Sequence, residues 1–553
     1  MSAYKHALDA LNNGDAAAAR SGFEKAIQLD PRNADAQNAL GQLLLQQGDA
    51  IGAIPHFRAV TRLKPNLAVA HFYLARGLLA AVRQDDAAAE LRVAIHLAPK
   101  QPQAHSELAR VLSLQGKPAD AVTEMKIAIA LQPTNPEFHD ELGVLLVQTS
   151  AFAEANDEFR SALKLDPQFQ AAALHLGVSL LNSGQTDNAI PQLQQAVQLD
   201  PRDASAHYYL GLALQSKNQD DDAVREYQQA AELKPDLVAA QTHLGLLQQR
   251  RGNPQDAAAA FSKVVVLTPN DPEAHNDLGL ALLQSGQGDA AVKEFQTAVD
   301  LHPQDTEIRG NLGIAYLQKA DFQSAADQLR EALKASPEKA TLHYDLGVAL
   351  KLQDNLPAAI DEFKKAIQLD PGLADAYYTY GVVLWQKGDL AEAAEKLQGA
   401  IGVKPDYAEA YYTLGTVLKQ MDQLPQSATA LREAIHLQPE FAGAHTTLAA
   451  VLRQLGDSQG AAAEAKAGAQ ISKQKTDLQA ATFTTNSGRR LLDAGDLDGA
   501  ISQFQSALSA MPNYPPAHYE LGLALQRKGN AKAAAEEFKR ASELDPNLQP
   551  PKQ

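Results

Sequence analysis

Eight histidines recur at one point of a regular spacing: His71, His105, His139, His207, His275, His343, His445 and His518. Three of them, at 71, 105 and 139, follow one another at intervals of 34 residues. A series of imidazoles raises the question of metal ligation, which requires ring nitrogens about 2 Å from one ion. Stacked helices are separated by roughly 8 to 10 Å, so rings on successive helices would reach a common ion only by leaving their packing stripe. The series therefore reads as packing. Five of these histidines have an acid two residues later, as in His139 with Glu141 and His343 with Asp345, but that spacing puts the pair on different helix faces. The chain has no cysteine, which excludes disulfides, thiolate catalysis and Cys-ligated metals. It has no HExxH pair, no GxxxxGK phosphate loop and no GxSxG elbow. The expectation is a protein that is not an enzyme and holds no metal or cofactor.

The elements that carry these residues repeat with the same period. Proline stands every 34 residues from Pro31 and Pro65 through Pro371, Pro405 and Pro439. With that proline as position 32, sixteen units follow: a first one over 1–33, thirteen over 34–475, then 481–514 and 515–548. Position 8 is always Gly or Ala, as in Gly143 and Gly381, and position 20 is Ala except at Ser427. Small residues on two helices let their axes approach closely. Positions 4, 7, 8 and 11 form one apolar stripe, and positions 20, 24 and 27 form another, as in Ala359, Phe363 and Ala366. Position 15 is Gly in ten units, among them Gly48, Gly286 and Gly388, where a left-handed residue would end the first helix. Each unit thus predicts helix, turn, helix, stop. Pro55 and Pro191 fall inside second helices, where a local distortion is expected.

Small residues at positions 8 and 20, an aromatic or Leu at 24, Ala at 27 and Pro at 32 resemble the tetratricopeptide repeat, and the resemblance covers residues 1–548. It implies an all-α fold: antiparallel helix pairs stacked into a right-handed α-solenoid superhelix, with first helices lining a concave face. The chain departs from the family at position 4, where His or Tyr stands instead of the usual Trp.

The organisation expected is a fourteen-repeat array over 1–475, a register-breaking linker over 476–480, a two-repeat module over 481–548 and a tail over 549–553. Ahead of the linker, position 24 is Ala465, position 27 is Gly468 and position 32 is Lys473. The second helix has lost its aromatic knob and its stop, so packing should be loosest here, with a longer helix as one means of joining the two parts.

A second stripe, at positions 2, 5, 9 and 12, lies beside the packing stripe on the first helix and varies from unit to unit. The resemblance implies that it lines the groove. In three consecutive units it reads Tyr344, Val348 and Lys351, then Tyr378, Val382 and Trp385, then Tyr412, Thr416 and Lys419. Rings with a polar edge beside cations suit interface anchoring, a carboxylate or a cation–π contact. Tyr344, Lys351, Tyr378, Val382, Trp385, Tyr412 and Lys419 are the candidate partner-binding residues, with Phe72 and Arg76, Tyr208 and Leu212, and Tyr519 and Leu523 as weaker parts of the stripe. Acids at position 2, such as Asp35, Glu273 and Asp375, are accounted for by the helix dipole. The Lys and Asn clamp with which some family members hold chaperone tails is not matched: position 5 is never Lys in the internal repeats and position 9 is never Asn.

A formal charge of −17 argues against general nucleic-acid binding, and no run is long and apolar enough for a membrane span. The function expected is a non-enzymatic interaction scaffold that holds an extended peptide or a partner subunit in its groove. The alternatives are an accessory subunit docking by its convex face or ends, and an arm of an enzyme whose catalytic domain lies elsewhere. A native start at Met1 would make the chain cytoplasmic, and a removed signal segment would make it periplasmic or extracytoplasmic.

Overall fold

The computed structural model describes residues 2–550 as thirty-one α-helices, with no strand among the described residues. The last three residues of the expected tail, 551–553, lie outside the described residues. Helix boundaries follow the 34-residue unit. First helices typically run thirteen residues, as in Ala340–Leu352, and second helices fourteen, as in Leu356–Leu369. Many second helices begin on an acidic cap: Asp49, Asp321 and Asp457 each accept an N–H three residues on, which satisfies an otherwise orphaned donor. They end in extended backbone, as at Asp370 with φ −134°, the conformation a following proline enforces. Pro55 and Pro191 do not interrupt their helices, which run on from Ala50 to Leu63 and from Thr186 to Leu199.

The turn after each first helix is left-handed whether or not glycine occupies it. Gly48, Gly286 and Gly388 have φ of 82°, 79° and 88°, while Val82, Ser150, Asn218, Ala320, Asp354 and Asp422 hold φ between 58° and 63° at the same position. A β-branched side chain is the worst of these, and Val82 is 78% exposed, with little packing to compensate. Val82→Gly should therefore stabilise its repeat by about 1 kcal/mol, read as a higher denaturant midpoint. Asn218→Gly should gain less, since asparagine tolerates this region.

Inside each repeat the residue at position 24 lies over position 8. Phe363 is fully buried, and a Cβ built on Gly347 would lie 2.6 Å from its ring. The small residue is thus required by the ring as well as by helix approach. The chain divides into two compact units, Met1–Ser285 and Gly286–Gln553. Within each unit the second helix of one repeat packs on the first helix of the next, which is the construction of an all-α solenoid. One junction in the second unit differs. Residues 476–480 lie inside a single helix, Ser458–Asp493, that fuses the second helix of one repeat with the first helix of the next.

Candidate functional site

The position-4 histidines are held by a contact the spacing of neighbouring acids does not suggest. In seven repeats Nδ1 lies 2.5–2.7 Å from a glutamate nineteen residues on, at position 23 of the second helix: Glu90, Glu124, Glu158, Glu226, Glu362, Glu464 and Glu537. Nε2 of the same ring lies 2.9–3.2 Å from the carbonyl oxygen of the proline six residues back. Both nitrogens face oxygen atoms, so the ring bridges the carboxylate of its second helix and the carbonyl of the preceding turn. Each histidine thereby ties its own two helices to the preceding turn, and neither ring nitrogen is left for a ligand. Other residue types fill the same slot: Gln37 bridges His56 and Pro31, and Arg309 bridges Gln328 and Pro303.

The aromatic ladder sits on the first helices Ala340–Leu352, Ala374–Lys387 and Ala408–Gln420. Its rings are half-buried and packed mainly against aromatic residues of their own repeats. Tyr344 packs against Phe363 on the second helix of its own repeat. Tyr378 lies 5.0 Å from the ring of Tyr407, whose hydroxyl donates to Asp375 at 2.8 Å and whose face carries Lys404 Nζ at 4.7 Å. Burial raises the Tyr407 hydroxyl far above its ordinary value, with the bond and charge of Asp375 adding to it. Asp375, Tyr378 and Tyr407 are therefore one cluster, with Tyr344 on the preceding first helix. Tyr412 lies apart, against Phe441 at 4.7 Å, and Trp385 donates its indole N–H to Gln420 at 2.9 Å. Val382 is half-buried between them in the sequence of the stripe.

Position 12 reads Lys351, Trp385, Lys419 and then Arg453 in successive repeats. Lys351 and Lys419 are half-buried, and burial holds the Lys351 ammonium below its ordinary value. Arg453 continues the cationic row and follows from the same spacing. Asp345 adds a carboxyl pushed up to about 6 by burial. By contrast, Tyr380 faces inward: it is 1% exposed and donates to Glu392 on the second helix. The weaker parts of the stripe are also consumed by packing. Phe72 is buried edge-on to Tyr73, Arg76 pairs with Glu107, and Tyr208 packs among Tyr209, Tyr227 and His243.

In the first unit, Val144, Leu174, Val178 and Tyr209 line an open pocket of about 370 Å³. His175 lines it, with Nδ1 2.8 Å from the buried Asp140 carboxylate.

No helix is long and apolar enough to cross a membrane among the described residues. Among solved structures, the chain is similar to the APC/C hetero-tetramer Cut9–Hcn1 at 15% identity, over 81% of this chain and 95% of that one, with a TM-score of 0.37. A MamA structure from Desulfovibrio magneticus RS-1 shares 28% identity over 30% of this chain and 95% of its own, with a TM-score of 0.29. YrrB, described as a TPR protein with an unusual peptide-binding site, shares 23% identity over 33% of this chain and 94% of its own, also with a TM-score of 0.29. No curated protein matches the sequence. Profiles described as tetratricopeptide repeat match residues 4–68, 106–173, 174–238, 242–306, 311–374 and 412–475, and again 491–551, with a TPR repeat profile over 384–422. The matched segments carry the same helix pairs with a small residue at position 8, and a chain built from them serves as a protein-interaction scaffold. It belongs to the tetratricopeptide repeat family.

Proposed function

We propose that the chain is a non-catalytic scaffold that holds an extended peptide segment of a partner protein along the first helices between Tyr344 and Lys419. The observation that carries this reading is the pairing of a pre-packed aromatic cluster with a cationic row. Tyr344 is packed on Phe363, and Tyr378 and Tyr407 on each other, yet all three are half-exposed, so little side-chain entropy remains to be lost on binding. Lys351 and Lys419 flank Trp385 at position 12 and form no salt bridge with any described residue. Ammonium groups beside tyrosine and tryptophan faces favour a peptide with carboxylates spaced among apolar side chains.

Tyr378→Ala combined with Trp385→Ala should abolish capture of the natural partner in a pull-down while leaving helicity unchanged. Hot-spot rings of this kind are each worth about 2 kcal/mol or more by truncation, on the order of a thousandfold for the pair. Capture undiminished by both substitutions would refute the groove reading.

A further inference from the structure

The fused helix Ser458–Asp493 leaves two repeat faces without the cover they have at ordinary junctions. Position 3 of the first helix is buried in each of the fourteen other repeats from residue 34 onward, for example at Ala376, Ala410, Ala444 and Ala517, all 0% exposed. In the repeat that starts at 481 it is Phe483, 70% exposed. Position 10 behaves in the same way: Val383, Val417, Val451 and Ala524 are fully buried, whereas Arg490 is exposed. On the other side of the break, Ala462 at position 21 is exposed, and so is its counterpart Ala535 in the last repeat. Buried counterparts include Ala394 and Ala428.

Ordinary junctions show what these faces fit. Position 3 packs on positions 27 and 28 of the preceding second helix, as Ala240 does on Ala230 and Ala231. Position 10 meets positions 21 and 24, as Gly77 meets Ile54 and Phe57. The corresponding partners at the break are Ala469, at position 28, for Phe483, and Ala462 for Arg490. Ala469 is itself exposed, a shallow seat on which a phenylalanine ring could lie. Within one straight helix the partners cannot meet, since Ala469 and Phe483 are separated by about 21 Å of helix rise. Both pairs are centred on the same residue, Thr476.

We propose that a second copy of this chain lies antiparallel along Ser458–Asp493, with a two-fold axis through Thr476, so that Phe483 of each copy covers the face around Ala469 of the other. Adjacent helices in the stack are antiparallel at every ordinary junction, so the exchange reproduces a contact the chain already uses, and it is isologous and closed. The face between the two pairs carries Ser472, Thr476 and Ala480, small enough for the axes to approach. The same register sets Lys475 of one copy opposite Asp477 of the other, an opposite-charge pair on each side of the axis. Lys473 permits the arrangement: it stands where the fifteen other units have the proline that would stop the helix.

The absence of cysteine supplies the test. Thr476→Cys should give a disulfide-linked dimer on mild oxidation far faster than Gln474→Cys, which points away from the axis. Light scattering should give a dimer for the unsubstituted chain. Phe483→Glu, at an exposed site that folding does not depend on, should give a monomer of the same helicity. Lys473→Pro should also give a monomer, because a restored stop lets the repeat at 481 fold back onto its own neighbour. An unsubstituted chain that is monomeric, or equal cross-linking of the two cysteines, overturns the proposal.

Discussion

Replacing His343 with leucine should destabilise its repeat by about 3 kcal/mol, and adding Glu362→Met to the same chain should recover most of that loss. His343 and the Glu362 side chain are only 7% and 16% exposed, and Nδ1 lies 2.5 Å from the carboxylate. Removing the imidazole alone strands two acceptors: the Glu362 carboxylate and the Pro337 carbonyl. An unpaired buried charge costs more than the pair contributes. Lys365, 3.3 Å from the other carboxylate oxygen, offsets part of the loss and keeps the effect at the low end of the usual range for a broken buried pair. Removing both partners leaves only the Pro337 carbonyl to be satisfied, a cost of about 1 kcal/mol. In a repeat array these changes act on one unit and its two neighbours, so hydrogen exchange of the amides in Ala340–Leu352 and Leu356–Leu369 is the sharper measurement, with denaturant unfolding beside it. Additive single effects would mean that the two side chains are not coupled.

This clamp also shows where sequence reading stopped short. Helix, turn, helix and stop were legible because each is a local signal repeated many times: the apolar stripes, the small residues at 8 and 20, the proline at 32. The histidine partner was legible too, though not locally. All eight repeats with His at position 4 have Glu at position 23, and none of the others does. Searching for acids within one helix turn misses a pairing made across the hairpin. Six of the left-handed turns lack glycine, so composition alone undercounted them. The ladder was legible as residue types, whereas the division of labour within it was not. Tyr380 turns inward to Glu392 while Tyr378 meets Tyr407, contacts made across the hairpin and with the closing turn of one repeat, at separations the stripe of a single helix does not show. At the break, the missing proline and the missing ring were visible in Lys473 and Ala465. Their consequence, an uncovered Phe483, needed the continuous helix.

Asp345→Asn should stabilise the second unit by about 2 kcal/mol at pH 8 and by only about a few tenths of a kcal/mol at pH 4. Burial is the dominant cause that moves this carboxyl from 3.8 to about 6, with Lys339 opposing it. The folded chain therefore binds the proton more tightly than the unfolded chain does. The sign is the reverse of that for a salt-bridged aspartate. Well below pH 3.8 both states are protonated and the residue carries no penalty. As pH rises toward about 6 the unfolded state gains from ionising while the folded state does not, and above that the full cost of a desolvated carboxylate is present. Asparagine removes that cost without changing the side chain's size, so the difference between variant and parent should appear through this window and level off above it. Urea midpoints at pH 4, 5, 6 and 8 measure it, and a stabilisation independent of pH would assign the effect to packing instead. Asp345 stands at position 6, next to Tyr344 in the chain but off the stripe of positions 2, 5, 9 and 12. Its carboxylate carries the same sign as the carboxylate-bearing peptide proposed for that stripe, so the asparagine variant should gain midpoint without losing partner affinity at pH 8.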